Sequence, residues 1–127
     1  MRRILLIEDD PLARDMLRQM LERAGYKVVE AEDGRTGIQH FQATAIDLII
    51  TDILMPDQDG LETIQELRRL DPDAKIIAIS GGGQTGLLDL LPIAEKLGAQ
   101  ATLRKPLRRQ ELLDAVSQLL ASPEDMP

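Results

Sequence analysis

Glu8, Asp9 and Asp10 stand together directly after the apolar run Ile4-Leu5-Leu6-Ile7, and Asp52 closes a second run that begins Leu48-Ile49-Ile50. Ser80 ends a third apolar run, and Lys105, followed by Pro106, ends a fourth. Carboxylates crowded into one cleft repel and raise one another's pKa unless a cation sits between them. Oxygen ligands around a small hard ion suit Mg2+, which keeps several waters and leaves positions open for phosphoryl oxygens. A hydroxyl and an ammonium beside them supply donors to those same oxygens. A carboxylate in that setting can serve as a nucleophile and form an aspartyl-phosphate. Metal-assisted phosphoryl transfer onto a carboxylate is therefore the chemistry these residue types offer as a group.

Taken singly, each has an ordinary structural role. Asp10 caps a helix, and Glu8 or Asp9 alone is a solvated turn residue. Asp52 alone starts the turn Met55-Pro56-Asp57, Ser80 is a loop serine before Gly81-Gly82-Gly83, and Lys105 is a surface lysine. The glycine triplet lacks the lysine and spacing of a P-loop. What these separate roles leave unexplained is that every one of the residues falls at the end of an apolar run.

The elements that must position them are short. Ile4-Leu5-Leu6-Ile7, Lys27-Val28-Val29, Leu48-Ile49-Ile50, Ile76-Ile77-Ala78-Ile79 and Ala101-Thr102-Leu103 read as strands. The first, third and fourth are continuously apolar, as parallel strands covered on both faces require. The second, flanked by Lys27 and Glu30, suits a sheet edge. Between them runs helical periodicity. Leu12, Met16, Leu17, Met20, Leu21 and Ala24 form one apolar stripe, with Asp10 as N-cap, Pro11 at N1 and Gly25 as the stop. Leu61, Ile64, Leu67 and Leu70 form a second, with Asp59 and Glu62 spaced as a capping box. Ile93, Ala94 and Leu97 make a third, closed by Gly98, and Leu112, Leu113, Val116, Leu119 and Leu120 a fourth. Residues 33–44, with Ile38 and Phe41 on one side, read as a weaker helix because Gly34 and Gly37 lie within it.

Strand–helix alternation repeated five times implies an α/β fold, a three-layer αβα sandwich around a parallel sheet with right-handed crossovers. Open sheets of this kind bind ligands outside the carboxyl ends of the strands, where the strand order reverses. In the order 2-1-3-4-5, strands one and three are neighbours and their acids face each other at that point. Residues 1–121 make one domain, and 122–127, with two prolines and two acids, a frayed tail.

Composition narrows the field. The 127 residues contain no Cys, which excludes disulfides, thiolate metal sites and thiol nucleophiles. Tyr26 and Phe41 are the only aromatics, too few for a base-stacking surface. Fifteen basic and twenty-two acidic residues give a net charge of -7, the wrong sign for gripping phosphate backbones. Arg104, Lys105, Arg108 and Arg109 do not change that balance, and no direct contact with nucleic acid is expected. Acids at positions 8–10 cut the first apolar run far short of a signal peptide or a membrane span. A cytoplasmic protein without a membrane partner is expected.

The ordered set Glu8-Asp9, Asp52, Ser80 and Lys105-Pro106 resembles the receiver domain of bacterial two-component response regulators, over residues 3–120. The resemblance implies the flavodoxin-like form of the fold. It implies Asp52 as phosphoacceptor, Ser80 as the hydroxyl position and Lys105 as the phosphoryl-binding lysine. It further implies Mg2+ held by Asp9, Asp52 and the backbone carbonyl of Leu54, with Glu8 acting mostly through water, and a cis Lys105–Pro106 bond. The implied partners are a sensor histidine kinase or phosphotransfer protein and a downstream effector bound in trans, with binding switched through the loop and helix after Ser80. Such a domain catalyses only its own phosphorylation and dephosphorylation.

Two departures stand out. The family often carries an aromatic three residues before the lysine, and here that residue is Thr102. Residues 81–91 are longer than usual and hold Leu87, Leu88, Leu90 and Leu91 after three glycines, either a loop with a buried turn or a docking patch. Other functional classes fit less well. A scaffold that no longer phosphorylates has no need of the intact acids, hydroxyl and lysine. An aspartyl-nucleophile phosphatase favours a second acid two residues after the first, where this chain has Leu54. An FMN carrier lacks rings to stack the flavin. His40 reads as a surface or boundary residue.

Overall fold

The computed structural model describes residues 2–53, 60–80 and 91–121. In chain order the elements are β1 (Arg3–Ile7), α1 (Pro11–Arg23), β2 (Lys27–Ala31), α2 (Gly34–Ala43), β3 (Leu48–Asp52), α3 (Gly60–Leu70), β4 (Ile76–Ser80), α4 (Leu91–Leu97), β5 (Ala101–Arg104) and α5 (Arg109–Leu120). The five strands pair in parallel in the order β2-β1-β3-β4-β5, as the alternation of apolar runs and helices implies.

Period-2 alternation splits the continuous apolar strands between two cores. Leu5, Ile7, Ile49, Ile76 and Ala78 face α2, α3 and α4, where Ile64, Leu67 and Ala94 close over them. Ile4, Leu6, Leu48, Ile50, Ile77 and Ile79 face the other way, against Leu17 and Leu21 of α1 and Leu112, Val116 and Leu120 of α5. That division is the three-layer sandwich. β1, β3 and β4 lie inside the sheet and are covered on both faces, whereas β2 and β5 form its edges and stay half-open.

The helix ends follow local chemistry. The Asp10 carboxylate accepts from Leu12 N–H and Pro11 takes the first helical position. Gly25, at φ +99°, carries the chain out of α1 in the left-handed region that a side chain disfavours. Asp33 caps α2 through Thr36 N–H at 2.8 Å. The α1 stripe is wider than the face it buries. At 3.6 residues per turn its six apolar positions span about 180° of arc, and Leu17 and Leu21 occupy the sheet-facing part. Leu12 and Met16 lie at the other end of that arc and are 77% and 59% exposed. Met16 and Met20 instead line an open groove with Pro106 and Leu107 beside Lys105.

Asp59 of the expected capping box, the turn Met55-Pro56-Asp57, the leucines at 87, 88 and 90, and the tail 122–127 lie outside the described residues. Among the described residues no helix is long and apolar enough to cross a membrane.

Candidate functional site

The strand register converts distant positions into neighbours. Ile7 pairs with Thr51, so Glu8 and Asp52, one residue further along, stand side by side at the carboxyl ends of β1 and β3. On the far side, Asp52 pairs with Ile79, which brings Ser80 to the next position on β4. Ser80 in turn accepts, through its backbone oxygen, the N–H of Lys105 at 2.8 Å. The peptide between Lys105 and Pro106 is cis, as the family resemblance implies.

Glu8, Asp52 and Ser80 are almost fully buried, at 1%, 4% and 2% exposure, while Asp9 and Lys105 are half-buried. One carboxylate oxygen from each of Glu8, Asp9 and Asp52 falls within 4.8 Å of the others, a group that could hold a metal ion. The Lys105 ammonium donates to Glu8 Oε1 at 2.6 Å and to Asp52 Oδ2 at 2.8 Å. Glu8 Oε2 accepts from Asp10 N–H at 3.2 Å. The pocket thus brings together the three acids and the lysine that the sequence marks, with Ser80 at the adjoining strand end. Leu54, whose carbonyl completes the expected ligand set, lies outside the described residues.

Burial chiefly pushes the Glu8 carboxyl up, and the Asp52 charge adds to it. Lys105 and the Asp10 N–H pull it back only in part, leaving a pKa of about 7 against an ordinary 4.5. Burial works to lower the Lys105 ammonium, but its bonds to Asp52 and Glu8 outweigh that and hold it above the usual lysine value. Three carboxylate oxygens that converge beside one lysine are chemically fitted to a small divalent cation with oxygen ligands.

Two residues essential to this geometry escape a reading of motifs. Gly60 opens α3 against the backbone that carries Asp52. A Cβ there would lie 2.4 Å from Ile53 Cα and 2.6 Å from the Asp52 carbonyl oxygen, so α3 can approach the site only with glycine at this point. Arg14 donates from Nη1 to the Glu8 carbonyl oxygen at 2.9 Å. Neither carries a local signature, because the partner in each case is backbone.

A family model of the response regulator receiver domain matches residues 4–117. The chain belongs to the response regulator receiver domain family. Among relatives of this receiver, chemotaxis protein CheY of Thermotoga maritima is 32% identical over 119 residues, covering 93% of this chain and 97% of its own. Response regulator receiver protein CpdR of Brucella abortus is 34% identical over 120 residues, covering 94% and 98%. Among solved structures, response regulator protein TrrA of Thermotoga maritima, in complex with Mg(2+)-BeF, superposes with a TM-score of 0.82 at 33% identity, covering 94% of this chain and all of the other. The receiver is thus a homologue of CheY-type signalling modules, with the fold that the alternating elements imply and an acidic pocket at its strand ends.

Proposed function

We propose that this receiver is a phosphoacceptor switch in which Asp52 takes a phosphoryl group from a phosphohistidine of a sensor histidine kinase or phosphotransfer protein. The observation that carries the reading is the convergence of Glu8, Asp9 and Asp52 within 4.8 Å, with the Lys105 ammonium 2.8 Å from Asp52 Oδ2.

An Asp52 oxygen forms the bond to phosphorus as the N–P bond of the donor breaks, and the released imidazole takes up a proton. Lys105, already in the pocket, moves its hydrogen bond from the carboxylate to a phosphoryl oxygen, and the Ser80 hydroxyl supplies a second donor from β4. Asp9, Asp52 and the Leu54 carbonyl would hold Mg2+, with Glu8 acting through water. When bound, the ion supplies charge neutralisation for the transferring oxygens. A relative whose structure holds Mg2+ and a beryllium fluoride supports the assignment of a metal-dependent phosphoryl site to this chain.

Phosphorylation adds roughly two negative charges at the end of β3. Lys105 then answers the phosphoryl oxygens instead of spanning Glu8 and Asp52, and the loop and helix after Ser80 carry the change to an effector protein bound in trans. Residues 1–121 form the switching domain, with 122–127 as a tail, and the partners meet it in the cytoplasm. Thr102, three residues before Lys105, donates to Glu95 Oε1 of α4 at 3.1 Å. A β5–α4 hydrogen bond therefore occupies the position where many receivers carry an aromatic. Incubating the chain with a small-molecule phosphodonor and Mg2+ tests the reading. A mass gain of one phosphoryl group that vanishes in Asp52→Ala is expected, and a gain that persists in that variant refutes it.

A further inference from the structure

We propose that Arg14 is a positioning residue for the cation site, holding the Glu8–Asp9 peptide so that the Asp9 carboxylate faces Asp52. The inference rests on the functional reading above. It adds to that reading a residue outside the pocket on which metal affinity depends.

Glu8 and Asp52 have their carboxylates fixed by Lys105. Among the described residues no hydrogen bond or ion pair reaches the Asp9 carboxylate. Its placement therefore depends on the backbone from which it hangs. That peptide is planar, so the direction of the Glu8 carbonyl also sets the Asp9 N–H and the position of the Asp9 Cα from which the side chain hangs. The Glu8 carbonyl oxygen accepts from Arg14 Nη1 at 2.9 Å. On the other side of the same residue, Glu8 N–H donates to Ala31 O at 3.0 Å. Both peptide planes flanking Glu8 are thus anchored, one to β2 and one to α1.

Arg14 is itself held. Its Nε lies 3.6 Å from Glu30 Oε1 on β2, with only 21% of its side chain exposed. A planar guanidinium can offer one nitrogen to a carbonyl while another faces a carboxylate, which a lysine ammonium does as a single point. Glu30 also offsets the guanidinium charge. The arginine can therefore stand beside a cation site without weighing fully against the ion.

The test uses Mg2+ titration of the full chain by calorimetry, together with the Mg2+ dependence of phosphorylation by a small-molecule donor. Arg14→Met is expected to raise the Mg2+ dissociation constant about tenfold, the size of effect typical of groups that orient metal ligands. The phosphorylation rate should recover when Mg2+ is raised in proportion, a split between half-saturation and maximal rate that a general structural defect does not give. Arg14→Lys should regain part of the affinity. Unchanged affinity in Arg14→Met overturns the proposal, as does weakened activity that added Mg2+ fails to restore. Should Arg14→Met not fold, a folded Arg14→Lys with wild-type affinity overturns it, and loss of folding in both variants does so too. A wild-type chain that binds no Mg2+ refutes the functional reading itself, a result distinct from any difference between variants.

Discussion

Replacing Glu8 with Gln should stabilise the metal-free protein at pH 8, although it removes a partner of the site lysine. Glu8 has its folded pKa raised from 4.5 to about 7. Between those values the folded chain binds the proton that the unfolded chain has released, so stability falls as pH rises through that window. The shift corresponds to at most about 3 kcal/mol lost once Glu8 is ionised. Gln removes that charge and keeps one acceptor, but Glu8 uses two oxygens, one on Lys105 and one on Asp10 N–H. Losing one of those bonds costs about 1 kcal/mol. The expected net gain for Glu8→Gln is therefore about 2 kcal/mol at pH 8, by the difference of those two figures. At pH 5, where the folded wild type already holds the proton, the difference should shrink below about 1 kcal/mol. Urea unfolding with a chelator present, at both pH values, reads this directly. Saturating Mg2+ should narrow the gap at pH 8, because the ion at a hundred times its dissociation constant stabilises the wild type by about 2.7 kcal/mol and stabilises the variant, with its weaker site, by less. A variant less stable than wild type at pH 8 without metal would show that ionised Glu8 is comfortably paired, and the reasoning about the pocket would fail.

Lys105→Met leaves the buried Glu8 and Asp52 carboxylates without their shared cation. Without metal at pH 8 it should lose about 3 kcal/mol of stability, measured by urea unfolding. It should also bind Mg2+ more tightly, because the ammonium no longer competes for the same oxygens, and yet slow phosphoryl transfer by on the order of a hundredfold. Gly60→Ala forces a Cβ into the Ile53 and Asp52 backbone and should cost about 1–3 kcal/mol. Slower phosphorylation should accompany that loss, because the shift falls on the residue that carries the acceptor. A variant as stable and as reactive as wild type would contradict the close approach of α3.

Legibility differed between elements for physical reasons. β1, β3 and β4 read plainly because strands covered on both faces must be apolar at every position, as Ile4 to Ile7 and Ile76 to Ile79 are. β5 reads weakly because an edge strand buries only part of each side chain, and Ala101-Thr102-Leu103 reflects that. The stripe on α1 is legible, but which part is buried depends on where α1 lies against the sheet. Only the tertiary arrangement leaves Leu12 and Met16 in solvent. Gly37 looks like a flaw in a helix until it is seen that a Cβ there would meet the Ile7 side chain at 2.4 Å.

In the site, Glu8, Asp9, Asp52, Ser80 and Lys105 stand out because each is polar at the end of an apolar run. Arg14 and Gly60 do not, because they act on carbonyl oxygens and Cα atoms that every sequence possesses. Nothing in residue type distinguishes Arg14 from Arg18 one turn later, whose guanidinium pairs with Asp15 and Glu22 on its own helix and lies 3.8 Å from the same Glu30 without reaching the Glu8 carbonyl.

Crystals of the full chain soaked with Mn2+ as a stand-in for Mg2+, with anomalous scattering recorded at the manganese edge, put the acidic pocket to the proof. A single strong peak within coordination distance of both Asp9 and Asp52 is expected, with Lys105 no longer shared between Glu8 and Asp52. A peak that leaves Asp52 out, or no peak at the strand ends while Asp52 keeps its present orientation, would contradict a metal-dependent phosphoacceptor at this site.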